Sequence, residues 1–113
     1  MADATFGEPA AGAWPAAMPL DDLWEGDMEG VDVAGHPVLL VNLDGEVVAY
    51  EDRCPHQGWA LHEGDLDGER LTCCRHHWEF DVRTGMGINP SDAALRRHAC
   101  CVDADGMIRV DVG

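Results

Sequence analysis

Two short stretches, CPHQGWAL from Cys54 to Leu61 and CCRHHWEF from Cys73 to Phe80, each set a thiol close to an imidazole. Cys54 and His56 form Cys-x-His; after sixteen intervening residues, Cys73 and His76 form Cys-x-x-His. The second stretch contains two overlapping registers, because Cys74 and His77 satisfy the same spacing. Two thiolates with two imidazoles suit either zinc or an iron–sulfur centre. Structural zinc sites usually draw on a cysteine pair and a histidine pair. Here each stretch supplies one of each. That mixture suits a two-iron cluster in which one iron takes both sulfurs and the other both nitrogens.

Such ligands need a scaffold that holds two loops side by side. From Gly30 onward the sequence reads as short strands broken by turns: Val31–Val33, Val38–Leu43, Val47–Glu51, Arg70–Cys73, Trp78–Val82, Ala99–Val102 and Met107–Val112. Asp44-Gly45 between two apolar runs is a strong hairpin signal, and Asp67-Gly68 marks another turn. His36 falls in a Gly-His-Pro segment read as a turn. Pro19–Trp24 is the one helical turn, with Asp21 or Asp22 as its cap. The pattern predicts an all-β fold, an antiparallel sandwich or small barrel. The two Cys/His stretches follow strands, so two loops at one end of a sheet can close over one site.

Composition narrows the setting. At 113 residues the chain has the length of one domain, small enough to profit from a bound metal. Residues 1–13 read as a flexible tail and 14–113 as the domain. The N-terminus carries Asp3 and Glu8 and no basic residue, unlike a secretory signal, and no run of apolar residues is long enough to span a membrane. These features predict a cytoplasmic protein. Five cysteines in that compartment point to metal or redox chemistry rather than to a disulfide framework. A net charge of −15 excludes nucleic acid as a partner and suits solubility or docking to basic faces of protein partners. Cys100 and Cys101 are adjacent in a strand, so at most one faces the core. His36, His62 and His98 read as surface residues, with His62 near enough to the first loop to support it.

The two-loop pattern resembles a Rieske [2Fe–2S] motif. The wider sequence, from about Trp14 to Val112, is similar to the small Rieske ferredoxins of multicomponent diiron monooxygenases, such as the toluene, alkene and isoprene enzymes. The shared pieces are PLDDLWEGDM, the CPHQ loop, LTCCRHHWEF and TGMGINPSD. The resemblance implies one [2Fe–2S] cluster per chain, held by Cys54, His56, Cys73 and His76. It prefers His76 over His77 because the second ligand histidine is followed in that family by an x-Trp-x-Phe pattern. It places Gln57, Trp59, His77, Trp78 and Pro90 beside the cluster or at the electron portal. Trp59 and Trp78 are expected to pack and shield, and Gly85–Pro90 to form a third loop over the cluster.

Ligand charge then sets the redox expectation. Two ferric ions, two sulfides and two thiolates sum to zero, so adding an electron costs less than in a four-thiolate cluster. The potential falls in the range of roughly −150 to +300 mV. High-potential relatives carry a disulfide between the loops and hydroxyl donors to the cluster sulfurs. The matching positions here are Trp59 and Arg75, and Trp78 and Phe80, which supply neither, so the lower half of that range is expected. The chain has no length left for a mononuclear iron domain. The resemblance therefore implies an electron carrier and not an enzyme, between a flavin-containing reductase and a diiron hydroxylase; nothing in the sequence marks an oligomer interface, so a monomer is expected. A ferredoxin of a ring-hydroxylating dioxygenase and a zinc-stabilised binding module are the alternatives.

Overall fold

A computed structural model describes residues 14–55, 59–73, 78–89 and 93–112. The order of strands is β1 Ala16–Pro19, β2 Met28–Val33, β3 His36–Leu43, β4 Glu46–Glu51, β5 Asp65–Asp67, β6 Arg70–Thr72, β7 Glu79–Asp81, β8 Gly87–Asn89, β9 Arg97–Val102 and β10 Met107–Asp111. All pairings between them are antiparallel. Six form a sheet in the order β1-β10-β9-β4-β3-β2, and β5-β6-β7-β8 form a second, smaller one. The edges β1 and β2 of the large sheet come back into contact, so it curls towards a barrel. Among the described residues no helix is long and apolar enough to cross a membrane.

The alternation of side chains in β3 and β4 explains the two layers. Val38 and Leu40 join Val33, Ala49, Ile108 and Val110 inside the barrel. Leu39, Val41 and Leu43 point the other way and join Val48, Tyr50, Leu71, Phe80 and Val82 between the barrel and the small sheet. Successive strand residues face opposite sides, so an unbroken apolar run such as Val38–Val41 belongs to a strand covered on both faces. Tyr50 ties the layers together: its hydroxyl donates to the Val82 carbonyl at 2.6 Å. Burial raises its pKa above the ordinary tyrosine value.

Two hairpin turns use the same device. At Asp44-Gly45 both residues have positive φ, 56° and 97°, which is the twist-matched turn for a two-residue hairpin. The Gly45 N–H donates to Asn42 Oδ1 at 2.7 Å. At Ala34-Gly35 the Gly35 N–H donates to Asp32 Oδ1 at 2.9 Å, and Val33 pairs directly with His36. His36 and Pro37 therefore begin β3 and are not the turn that a Gly-His-Pro reading predicts. The Asp32 side chain supplies the anchor, and alanine at the first turn position conceals the signal. The helical turn is also shifted. It is a short 3-10 turn over Leu20–Asp22 capped by Pro19, with Asp21 and Asp22 inside it and no side-chain cap.

Among the described residues Asn42 is one of two buried polar ones, with 3% of its surface exposed. Besides holding Gly45, its Nδ2 donates to the Leu23 carbonyl at 2.9 Å. Asn42→Ala strands the buried Leu23 carbonyl, while the exposed Gly45 N–H turns to water. A buried unsatisfied group costs about 1–3 kcal/mol, and a stability loss in that range is expected in urea titration. A loss below about 0.5 kcal/mol, the range of ordinary surface substitutions, would show that water takes over these bonds.

Candidate metal centre

β4 ends at Glu51, and the chain turns at once. The Asp52 N–H donates to the Pro37 carbonyl at 2.9 Å, and Cys54 follows with its N–H on the Trp59 carbonyl at 2.7 Å. β6 ends at Thr72, and the Cys73 N–H donates to the Trp78 carbonyl at 2.7 Å before β7 begins. The two loops thus share one construction, a cysteine whose N–H closes onto a tryptophan carbonyl five residues later. Cys54 and Cys73 are 1% and 0% exposed and belong to one apolar cluster with Tyr50, Leu61, Leu71 and Phe80. Both are thiols. The fold therefore brings together the two cysteines that the sequence separates by one full hairpin, in surroundings of low polarity.

His56, Gln57, Cys74, His76, His77 and Pro90 lie outside the described residues, as does 1–13. Trp59 and Trp78 part company. Trp78 is half-buried against the same apolar cluster, its ring centroid 6.5 Å from that of Phe80. Trp59 is 39% exposed, so its packing role is smaller than expected. The third loop is also corrected: Gly87–Asn89 forms β8, paired to β7 through Glu79↔Asn89 and Phe80↔Gly87. A Gly-Met-Gly-Ile stretch carries little strand signal, and the partner strand supplies the order.

Sequence reasoning under-rated one element of the first loop. Asp52, 6% exposed, lies two residues before Cys54. Its Oδ1 accepts the His62 N–H at 2.9 Å, and its Oδ2 lies 2.5 Å from His62 Nδ1. The pair clasps the loop at both ends. It rests on Gly30 of β2, where any Cβ would collide with the His62 ring and the Asp52 carboxylate. His62→Ala removes the ring contact and leaves a buried carboxylate short of a partner. It is expected to lower stability by about 1–2 kcal/mol, read as a fall in the thermal midpoint. Equal midpoints for parent and variant would show that the clasp does not hold the loop.

The other cysteines behave as their strand positions require. Cys100 packs against the barrel core, where its Sγ donates to the Val47 carbonyl at 3.4 Å. Burial pushes its thiol up to about 11, so it stays protonated and unreactive at neutral pH. Cys101 is half-buried on the opposite face. Of the remaining histidines, His98 is half-buried instead of exposed, and burial holds its pKa below the ordinary value.

Comparison with known proteins bears on this arrangement. Residues 13–99 match the family model described as the Rieske [2Fe-2S] domain. The ferredoxin component of the alkene monooxygenase system of Xanthobacter autotrophicus is 45% identical over 78 residues, covering 68% of this chain and 64% of that protein. The match therefore spans just under two thirds of that relative. The ferredoxin component of the naphthalene 1,2-dioxygenase/salicylate 5-hydroxylase systems of a Ralstonia species is 37% identical, over 66% of this chain and 72% of that one. Among solved structures, a chain in the complex of reduced oxygenase and oxidized ferredoxin of carbazole 1,9a-dioxygenase superposes with a TM-score of 0.77. It is 29% identical, over 86% of this chain and 91% of that one. The donor set fits the group this family carries, because two buried thiols in one apolar cluster are what one iron of such a cluster requires.

Proposed function

Because this chain belongs to the Rieske [2Fe-2S] domain family, we propose that it is a one-electron carrier of an oxygenase system. Its donor is a flavin-containing reductase and its acceptor the diiron hydroxylase of a multicomponent monooxygenase. The observation that carries the reading is the pair of matched loops, each closing a buried cysteine onto a tryptophan carbonyl at 2.7 Å. Cys54 and Cys73 hold one iron, and His56 and His76 the other. Bound in this way, the cluster supplies a single-electron couple of low net charge. The surrounding apolar side chains keep water from the sulfurs, and the Asp52–His62 clasp fixes the first loop at its base. Cys73 is preferred to Cys74 because its place in its loop repeats that of Cys54.

The domain runs from residue 14 to 113, past the family match, since β10 completes the barrel with Ile108 and Val110 in its core. Residues 1–13 are a tail outside it. The protein works as a monomer in the cytoplasm, a compartment that suits cysteines kept as thiols. The alkene monooxygenase relative, at 45% identity, favours a diiron acceptor. The dioxygenase relatives keep a ring-hydroxylating acceptor as the second reading. Reconstitution with a diiron hydroxylase and with a dioxygenase terminal component separates the two.

Low-temperature EPR of the dithionite-reduced protein, with iron and zinc assayed on the same sample, tests the carrier itself. A rhombic signal with an average g value below that of four-cysteine clusters is expected. A redox titration should give a midpoint in the lower half of the roughly −150 to +300 mV range. Zinc in place of iron, with no signal, would sink the proposal. A midpoint well above about +100 mV on the same scale would overturn the account of Trp78 and Phe80.

A further inference from the structure

The charge of this protein is unevenly placed. Twelve of its 22 acidic residues lie in residues 1–52, and all seven of its basic residues are arginines at position 53 or later. Asp21, Asp22, Glu25 and Asp27 are exposed and surround Trp24 in the chain. Trp24 is 75% exposed, the most exposed of the large apolar side chains described.

The segment that presents Trp24 is held firmly. The Leu23 N–H donates to the Leu20 carbonyl at 3.0 Å and the Asp27 N–H to the Trp24 carbonyl at 3.0 Å. The Gly26 N–H donates to the Asn42 carbonyl at 2.8 Å, and the Asn42 N–H to the Asp27 carbonyl at 3.1 Å. The Asn42 side chain adds its bond to the Leu23 carbonyl. Beside the indole lies an open cleft of about 720 Å³, lined by Leu20, Asp21, Leu23, Glu25 and Asn42. A large apolar side chain exposed on a fixed backbone loses little entropy on binding, which is the property of an interface anchor. The carboxylates around it choose the partner. A cation, arginine above all, stacks on an indole face and pairs with carboxylates together.

We propose that Trp24 and the carboxylates of Asp21, Asp22, Glu25 and Asp27 form a docking site for an arginine-bearing basic segment of a protein partner. The site adjoins the Asn42–Gly45 turn, whereas the Cys54 loop leaves the opposite end of β4. Six strand residues separate the ends, roughly 15–20 Å at the usual rise. A short basic segment held at Trp24 thus binds without touching the cysteine loops. This inference is independent of the cluster assignment.

The test is fluorescence anisotropy of a labelled peptide with four arginines spaced by Gly-Ser, titrated with the holoprotein in 150 mM NaCl, a concentration that screens unspecific attraction beyond about 8 Å. Saturable binding is expected, weakened about tenfold or more by Trp24→Ala and less by Trp24→Phe. Glu25→Gln should weaken it about threefold, Val102→Ala, at an exposed apolar position outside both sites, should leave it unchanged, and a lysine version of the peptide should bind less well. Binding that disappears at this salt, or that Trp24→Ala alters less than about twofold, would overturn the proposal and leave only attraction between a polyanion and a polycation. Unchanged thermal midpoints for the Trp24 variants confirm that any loss belongs to the surface and not to the fold.

Discussion

Cys73→Ser is expected to yield protein with less than about a tenth of the parent's iron, while Cys74→Ser keeps its iron and its EPR signal, because cluster retention rests on deprotonated ligands in place. Both residues satisfy the same spacing to a histidine, so the linear pattern treats them alike. The setting of Cys73 matches that of Cys54. The Cys73 N–H closes onto the Trp78 carbonyl at 2.7 Å, as that of Cys54 does onto Trp59. Cys73 is fully buried in the apolar cluster that also contains Cys54. A serine there replaces a soft thiolate with a poor iron ligand in a site built around sulfur. Iron assay and EPR on the two variants read the outcome directly. The reverse result, loss with Cys74→Ser and retention with Cys73→Ser, would shift the register by one and make His77 the ligand in place of His76.

Phe80→Ala is expected to cost about 3–5 kcal/mol, the usual range for removing a fully buried aromatic ring. Phe80 is 0% exposed, pairs with Leu71 and Gly87, and packs with Cys54, Cys73 and Tyr50. A domain of this size is stable by only about 5–15 kcal/mol in total, so this one change removes a large share. It should also loosen both cysteine loops, since the ring lies in the same cluster as their thiols. Urea titration of parent and variant measures the loss. Val102→Ala, at a position 40% exposed, is the control and should stay within about 0.5 kcal/mol. A cost for Phe80→Ala below about 1 kcal/mol would mean that the small sheet does not pack against the barrel through this ring.

Reasoning from residues located β2, β3, β4, β6, β7, β9 and β10, each of which carries apolar residues in alternation or in a run. The ones it missed are short or built on glycine. β5 reads Asp-Leu-Asp and β8 Gly-Ile-Asn. Neither has enough apolar residues to announce a strand, and each is ordered by the neighbour it pairs with. The turn at Asp44-Gly45 was legible because both residue types favour positive φ. The turn at Ala34-Gly35 was not, because its anchor is the side chain of Asp32. The same limit hid the Asp52–His62 clasp, whose members are ten residues apart and whose support, Gly30, lies on another strand.

What the sequence determined by itself was the chemistry: which side chains can bind a metal, at what spacing, and with how much charge around them. These properties belong to individual residues and to neighbours within a loop. Only the tertiary structure decided that Cys54 and Cys73 are buried in one apolar cluster, that Trp78 is more covered than Trp59, and that Trp24 stands exposed on an acidic segment beyond the far end of β4 from the Cys54 loop. Burial and exposure depend on which strand faces the topology apposes, and apposition is set by pairings between residues far apart in the chain.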